Sequence, residues 1–162
     1  MGDEIGQVDL LVRREIEALV AAPLIRAFMD AMGREEALGV ARGVFRRLAV
    51  ESGRMLKAVA GGDDLEKLRD GFALFAAGGS LEFEVKEAGP ERLSLDVTRC
   101  RYAEMYREHG FEDLGTLLSC DRDYALVEGF NPKIRLERTR TIMEGADHCD
   151  FRFSLRQDRK EG

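Results

Sequence analysis

Hydrophobic residues recur at helical spacing through the first half of the chain. Val8, Leu11, Val12, Ile16, Leu19 and Val20 share a stripe, and Leu24, Ile25, Phe28, Met29 and Met32 resume it after Pro23. Proline fits the first turn of a helix and disrupts an interior one, so Pro23 marks either a kink or the start of a new helix. Gly33 is the expected stop. A second stripe runs through Leu38, Ala41, Val44, Phe45, Leu48, Ser52, Met55, Leu56 and Val59, and Gly61 and Gly62 close it. Asp63 or Asp64 then caps a third helix carrying Leu65, Leu68, Phe72 and Phe75, with Gly78 and Gly79 at its end.

The period next falls to two. Leu81, Phe83 and Val85 alternate with Glu82, Glu84 and Lys86. After the turn Ala88-Gly89-Pro90-Glu91, Leu93, Leu95 and Val97 alternate with Ser94, Asp96 and Thr98. This pattern predicts a β-hairpin with one buried face. Residues 100–129 return to short helical pieces, broken at Gly110 and near Ser119. Two more strands are expected at about 133–143 and 148–157, joined by a turn at 144–147. The expected architecture is α+β, a single domain over 1–162: N-terminal helices over 7–77, a hairpin over 81–99, short helices over 100–129 and a hairpin over 133–157. The helices pack on a mostly antiparallel sheet of about four strands.

Parity on these strands sorts the polar residues. Cys149, Phe151, Phe153 and Leu155 share a buried face, and His148, Asp150, Arg152, Ser154 and Arg156 the other. His148, Cys149 and Asp150 are therefore not a triad, although they are adjacent. On the preceding strand, Ile134, Leu136 and Ile142 define the apolar face, and the same parity carries Arg138 and Arg140. Inward arginines require anionic partners or a ligand. The alternatives are a bulge that flips the register, or a strand end that emerges into solvent.

In the stretch LLSCDRDYALVEG, residues 117–129, Ser119 or Asp121 can cap a following helix. Cys120 would then sit at a helix N-terminus, where thiolate is favoured, with Asp121 and Asp123 close by. Cys100, at a strand end, reads as a small core residue. His109 falls at a helix C-terminus, and His148 lies in a turn or at a strand start.

Bulk properties narrow the class. The chain of 162 residues is 44% hydrophobic and 35% charged, with a net charge of −6 and no basic cluster. Nucleic-acid binding is thereby set aside. No apolar run is long enough for a membrane span. Residues 1–9 are acidic and lack a hydrophobic signal core, which points to the cytoplasm. Three cysteines, an odd count with no signal segment, argue against a disulfide framework, and their spacings match no zinc-ribbon or finger pattern. A site of Cys100, Cys120, Cys149 and one histidine on a metal stays open, although every ligand would come from a separate element.

The stretch from Cys120 to Phe153 resembles the L-2-amino-thiazoline-4-carboxylic acid hydrolase family. The matching residues are Cys120, Asp123, Tyr124 and Ala125; then Glu128, Gly129, Asn131 and Pro132; then Arg138, Thr139, Thr141 and Gly145; then Cys149, Asp150, Phe151 and Arg152. The segment from Val97 onward is similar too. The resemblance implies a hydrolase acting on a carbon–nitrogen bond of a small cyclic amidine. Its substrate would be a five-membered cyclic isothiourea bearing a carboxylate, opened to a carbamoyl-cysteine with no cofactor. Such a site needs a cation for the carboxylate: Arg138, Arg140 or Arg152. It needs a carboxylate for the amidine and for proton transfer: Asp121, Asp123 or Asp150. It also needs a nucleophile, Cys120 or Cys149, or an activated water. Tyr124 and Asn131 join the binding candidates. Two other functions remain: a non-catalytic ligand-binding or sensor domain akin to vinyl-reductase-like domains, and a cysteine-rich metal-binding domain. Oligomeric state is not legible.

Overall fold

A computed structural model of the chain describes residues 6–156; residues 1–5, and Gln157 at the end of the expected last strand, lie outside them. Helix α1 spans Leu10–Met32 without interruption, so Pro23 lies inside one continuous helix. Gly33, at φ 94°, turns the chain into α2, Arg34–Ala60, and Gly61, at φ 69°, ends that helix in the left-handed region. Asp64 caps α3, Leu65–Phe75, by accepting from Lys67 N at 2.8 Å.

Strands β1 (Leu81–Ala88) and β2 (Arg92–Cys100) form the expected hairpin. Then come α4 (Arg101–Glu108), α5 (Glu112–Gly115), a π-helical turn (Thr116–Cys120) and α6 (Arg122–Phe130). Strands β3 (Ile134–Glu137) and β4 (Cys149–Leu155) complete an antiparallel four-stranded sheet of order β1-β2-β4-β3. The chain is thus an α+β structure of helices and an antiparallel sheet. Leu93, Leu95, Val97, Phe151 and Phe153 face a core closed by Leu56, Leu65, Leu68, Val127 and Phe130. A second core joins α1, α2, α4 and α5, and Cys100 touches both.

Three local expectations change. The helical stretch is not broken at Ser119. Asp121 N bonds to Thr116 O at 2.8 Å, an i→i+5 turn that winds one extra residue into a continuous helical path. The strand before the last turn stops at Glu137, so Arg138 and Arg140 no longer share a strand face. Finally, much of the apolar stripe on α1 and α2 is not core. Ile16, Val20, Leu24, Val40, Leu48, Met55 and Val59 are exposed, and the buried contacts use Ala18, Ala22, Ala37, Ala41, Ala49 and Gly53. Small side chains let the helix axes come close; Ile25, Phe45 and Leu56 are the large residues that join them in the buried faces.

Candidate functional site

At the end of β3 the backbone leaves the sheet, and Arg138 turns back under it with only 4% of its side chain exposed. Its Nη1 donates to Asp123 Oδ2 at 2.6 Å, and its Nη2 donates to the Cys120 carbonyl at 2.9 Å. The guanidinium also lies 4.8 Å from the Phe151 ring centroid and 5.3 Å from that of Tyr124. The π-turn and the first turn of α6 place Ser119, Cys120, Arg122 and Asp123 on one side of the helical path.

These residues border a partly open cavity of about 110 Å³. That is the scale of a single small ring, since an apolar cavity of about 150 Å³ takes up benzene. All three cysteines line it. Leu56, Leu68, Phe72 and Phe153 form an apolar wall, and Arg14 closes it from α1.

Burial sets the electrostatics. It pushes the Cys100 thiol up to about 11 and the Cys120 thiol well above its ordinary value, with Asp123 adding to the latter; it also raises Cys149. The expected thiolate at a helix N-terminus is therefore corrected. The helical path continues through Cys120, so no free N–H groups converge on its sulfur. Neither Ser119 nor Asp121 caps α6, because no N-terminus is open there. Cys149 Sγ instead accepts from Ile142 N at 3.1 Å, and Cys100 Sγ from Ala103 N at 3.4 Å. Burial likewise lifts the Asp123 carboxyl above its ordinary value, against the pull of Arg138. Asp123 keeps 37% of its side-chain surface and lines the cavity, which is partly open. For Arg138, burial favours the neutral form, and the Asp123 carboxylate outweighs it and holds the guanidinium charged.

The other predicted residues lie elsewhere. Asp150 and Arg152 project from the sheet face away from the cavity. Arg152 donates to Leu95 O at 3.0 Å and to Asp96 Oδ1 at 2.7 Å. Asp150 accepts from Thr139 N and Arg140 N, both at 2.9 Å, and from Thr139 Oγ1 at 2.6 Å. It thereby pins the segment that delivers Arg138. Arg140 is exposed. Asp121 and Tyr124 border a second pocket, between α2 and α6. Asn131 ends α6, donating to Asp63 O and accepting from Lys133 N, both at 2.9 Å. His109 caps α4 and contacts Glu15 Oε1 at 2.7 Å, and His148 contacts Asp147 at 2.8 Å. Among the described residues, no three His, Cys, Asp or Glu side chains gather as a metal site requires. No helix among them is long and apolar enough to cross a membrane.

Sequence reasoning missed Arg14 and Arg122. Arg122 is 7% exposed and is held by Glu17 Oε1 at 2.5 Å, with its guanidinium 5.3 Å from the Phe45 ring centroid. Its spacing from Leu118 and Ala125, four before and three after, marks it as an arginine on a buried helix face. That signal was available in the sequence.

Replacing Asp150 with alanine is expected to lower stability by about 2 kcal/mol, the scale of hydrogen bonds to a charged group, measured by urea unfolding. Burial would raise the Asp150 pKa, but its bonds to Thr139 and Arg140 prevail and lower it below 3.8. A depressed folded pKa adds stability above the unfolded value, and that stability is lost as pH falls through the folded one. The gap between native chain and variant should therefore narrow on acidification below pH 3.8.

No curated protein sequence matches the chain. Among solved structures it is similar to the phenol-responsive sensory domain of the transcription activator PoxR, determined with phenol. The two are 15% identical, with a TM-score of 0.48, over 83% of this chain and 72% of that one. The model of one family, described as L-2-amino-thiazoline-4-carboxylic acid hydrolase, matches residues 13–153, a span that takes in Arg14, Arg122, Asp123, Arg138 and all three cysteines. With most of its length matched, this chain belongs to the L-2-amino-thiazoline-4-carboxylic acid hydrolase family.

Proposed function

We propose that the chain is a hydrolase that opens a small cyclic amidine, such as 2-amino-thiazoline-4-carboxylate, within the cavity bordered by Asp123, Arg138, Cys120 and Cys149. The observation that carries this reading is the Asp123 carboxyl. It is raised by burial, paired with Arg138 at 2.6 Å and set in the wall of a ring-sized cavity. A carboxyl shifted upward is a stronger base than an ordinary carboxylate and can hand the proton on as an acid.

In this reading Asp123 takes a proton from water as the oxygen adds to the carbon between sulfur and nitrogen. It then returns that proton to the ring nitrogen as the carbon–nitrogen bond breaks. The hydroxyl proton passes to the same nitrogen as the carbonyl forms, so that both protons of the water end on the freed amine, and the product is a carbamoyl-cysteine joined through sulfur. Amine departure needs a proton donor, which is the reason to favour this bond over carbon–sulfur cleavage. Water is the nucleophile, because burial keeps all three thiols protonated. Cys120 and Cys149 line the space where the sulfur-bearing ring would lie. The reading includes a reducing, cytoplasmic setting, in keeping with three free cysteines.

Asp123→Asn is expected to reduce kcat on 2-amino-thiazoline-4-carboxylate by about 10²- to 10⁴-fold, the contribution of a positioned acid–base group. Product analysis by mass spectrometry and amine release should identify the bond cleaved. Thiol release instead of amine release would contradict carbon–nitrogen cleavage, and no turnover at high protein concentration would sink the hydrolase. A covalent adduct on Cys120 or Cys149 would move the nucleophile from water to thiol. One observation favours a second reading, a ligand-binding domain without chemistry: every thiol in the cavity is held protonated. Saturable binding without product would select it.

A further inference from the structure

From Ala18 onward helix α1 is apolar on both sides, and its own fold covers only one. Between Ala18 and Met32 the charged residues are Arg26 and Asp30, and Arg26 donates to Gly110 O at 2.7 Å and to Asp113 Oδ1 at 2.6 Å. Ala18, Ala22 and Ile25 face the core, whereas Val12, Ile16, Val20, Leu24, Phe28 and Met32 are each 40–67% exposed. These six follow one another at intervals of four, a spacing that stacks side chains into one continuous ridge. A helix that is apolar all round belongs in an interior, and no helix among the described residues is long and apolar enough to cross a membrane.

Helix α2 extends this surface. Ala41 and Phe45 enter the core with α1, and Arg46, the position after Phe45, donates to Glu128 of α6 at 2.6 Å. Successive residues step roughly 100° round a helix, so Val40 and Val44, the positions before, lie on the other flank, away from α6. Those two, with Leu48, Met55 and Val59, are 40–77% exposed. On α1, Val20 and Leu24 stand two positions either side of Ala22 and so point roughly 200° away from the core. Arg122 of α6 bonds to Glu17 of α1, so α6 lies under both helices and the two rows share the outer side of the hairpin. Half-exposed side chains in this number present roughly 1,000 Å² of apolar surface, beyond the about 300–600 Å² of an ordinary monomer's largest patch and enough for the about 800 Å² each partner buries in a stable pair.

We propose that this outer face pairs with a second copy of the same chain, across a two-fold axis near Val20 and Leu24. The patch has the area that a dimer needs. A row at four-residue intervals packs into the groove beside the same row on another helix, the commonest helix crossing, and a two-fold axis presents the row to itself. Copies that each carry a net charge of −6 repel one another, and this is a face on which few charges are brought together. Residues 1–5 and 157–162 bring only Met1 and Ile5 as large apolar side chains, too few to cover it. The pairing does not depend on which chemistry the cavity performs.

Sedimentation and light scattering on the native chain should give twice the chain mass of 18.2 kDa, falling to the single mass on dilution. Its thermal unfolding temperature should rise with protein concentration. Val20→Glu and Leu24→Glu each put a charge on an exposed helical site, so both should keep the native circular dichroism while weakening the pair at least about tenfold. Glu66→Lys, exposed on α3, is the control and should pair as the native chain does. Mixing Leu24→Glu chains with Leu24→Lys chains should recover the paired mass, because the axis sets opposite charges against each other at that position. If the mixture stays single, the axis is wrong. A native chain that is single at every concentration, a mass that grows without limit, or a pair indifferent to both glutamates would overturn the proposal. A single chain that sediments with phospholipid vesicles would do the same, and would give the face to lipid.

Discussion

Gly129→Ala is expected to separate α2 from α6 and to cost about 3 kcal/mol or more, at or above the upper end for overpacking a tight contact. A Cβ at Gly129 would fall on the Val50 carbonyl group, and one at Gly53 on the Leu126 carbonyl oxygen and 2.7 Å from Phe130 N. These neighbours are backbone atoms, which no rotamer change can move aside. The two helices therefore meet glycine-first, and Gly53→Ala should behave the same way. For a chain of this length, 3 kcal/mol corresponds to a fall in Tm of about 6–12 °C. The effect should reach the site, because α6 carries Arg122 and Asp123. Gly39→Ala is the control within α2: its added Cβ meets nothing, and it should stabilise the helix by about 0.5–1 kcal/mol. If Gly129→Ala unfolds at the native temperature, the close crossing is wrong.

The second large effect belongs to Arg138. Arg138→Met should destabilise by about 3 kcal/mol, because it leaves Asp123 without its cation and the Cys120 carbonyl without its donor. The methionine keeps much of the contact with Phe151 but none of the charge. The double variant Arg138→Met/Asp123→Leu should recover most of that loss, since two matched apolar groups avoid stranding one buried charge. The coupling from a double-mutant cycle, read by urea unfolding, separates a real pair from two independent packing losses. Additive losses would mean that the 2.6 Å contact does not bind the two side chains to each other.

Much of the architecture is legible from local pattern. The period-two stretches at 81–87 and 93–98, the Asp64 cap and the glycines at 33, 61 and 110 need only neighbouring residues to act, and the structure places strands, a cap and helix ends there. The inward direction of Cys149 also follows from strand parity alone, because Phe151 and Phe153 fix which face is buried. The resemblance carried by the Cys120 to Phe153 motifs agrees with the family match over residues 13–153.

Other features depend on partners distant in sequence. Parity placed Arg138 and Arg140 together, but β3 ends at Glu137. Asp150, on β4, takes over the backbone donors of Thr139 and Arg140 and so sends Arg138 inward and Arg140 to solvent. The exposed side of α1 and α2 could not be read from the stripe. Hydrophobic periodicity reports one face, whereas helix approach selects the smallest residues on it, and Gly53 and Gly129 are 76 positions apart. Thiol reactivity was misjudged for a similar reason. A cap signal presumes a helix start, and the π-turn removes it, leaving burial to set the pKa. Sequence by itself determined the elements, their polarity and the family motifs, because these follow from chemistry within a few residues. Only the tertiary structure decided which charges meet in the cavity, because Arg14 joins Arg122, Asp123 and Arg138 there through packing that no local period encodes.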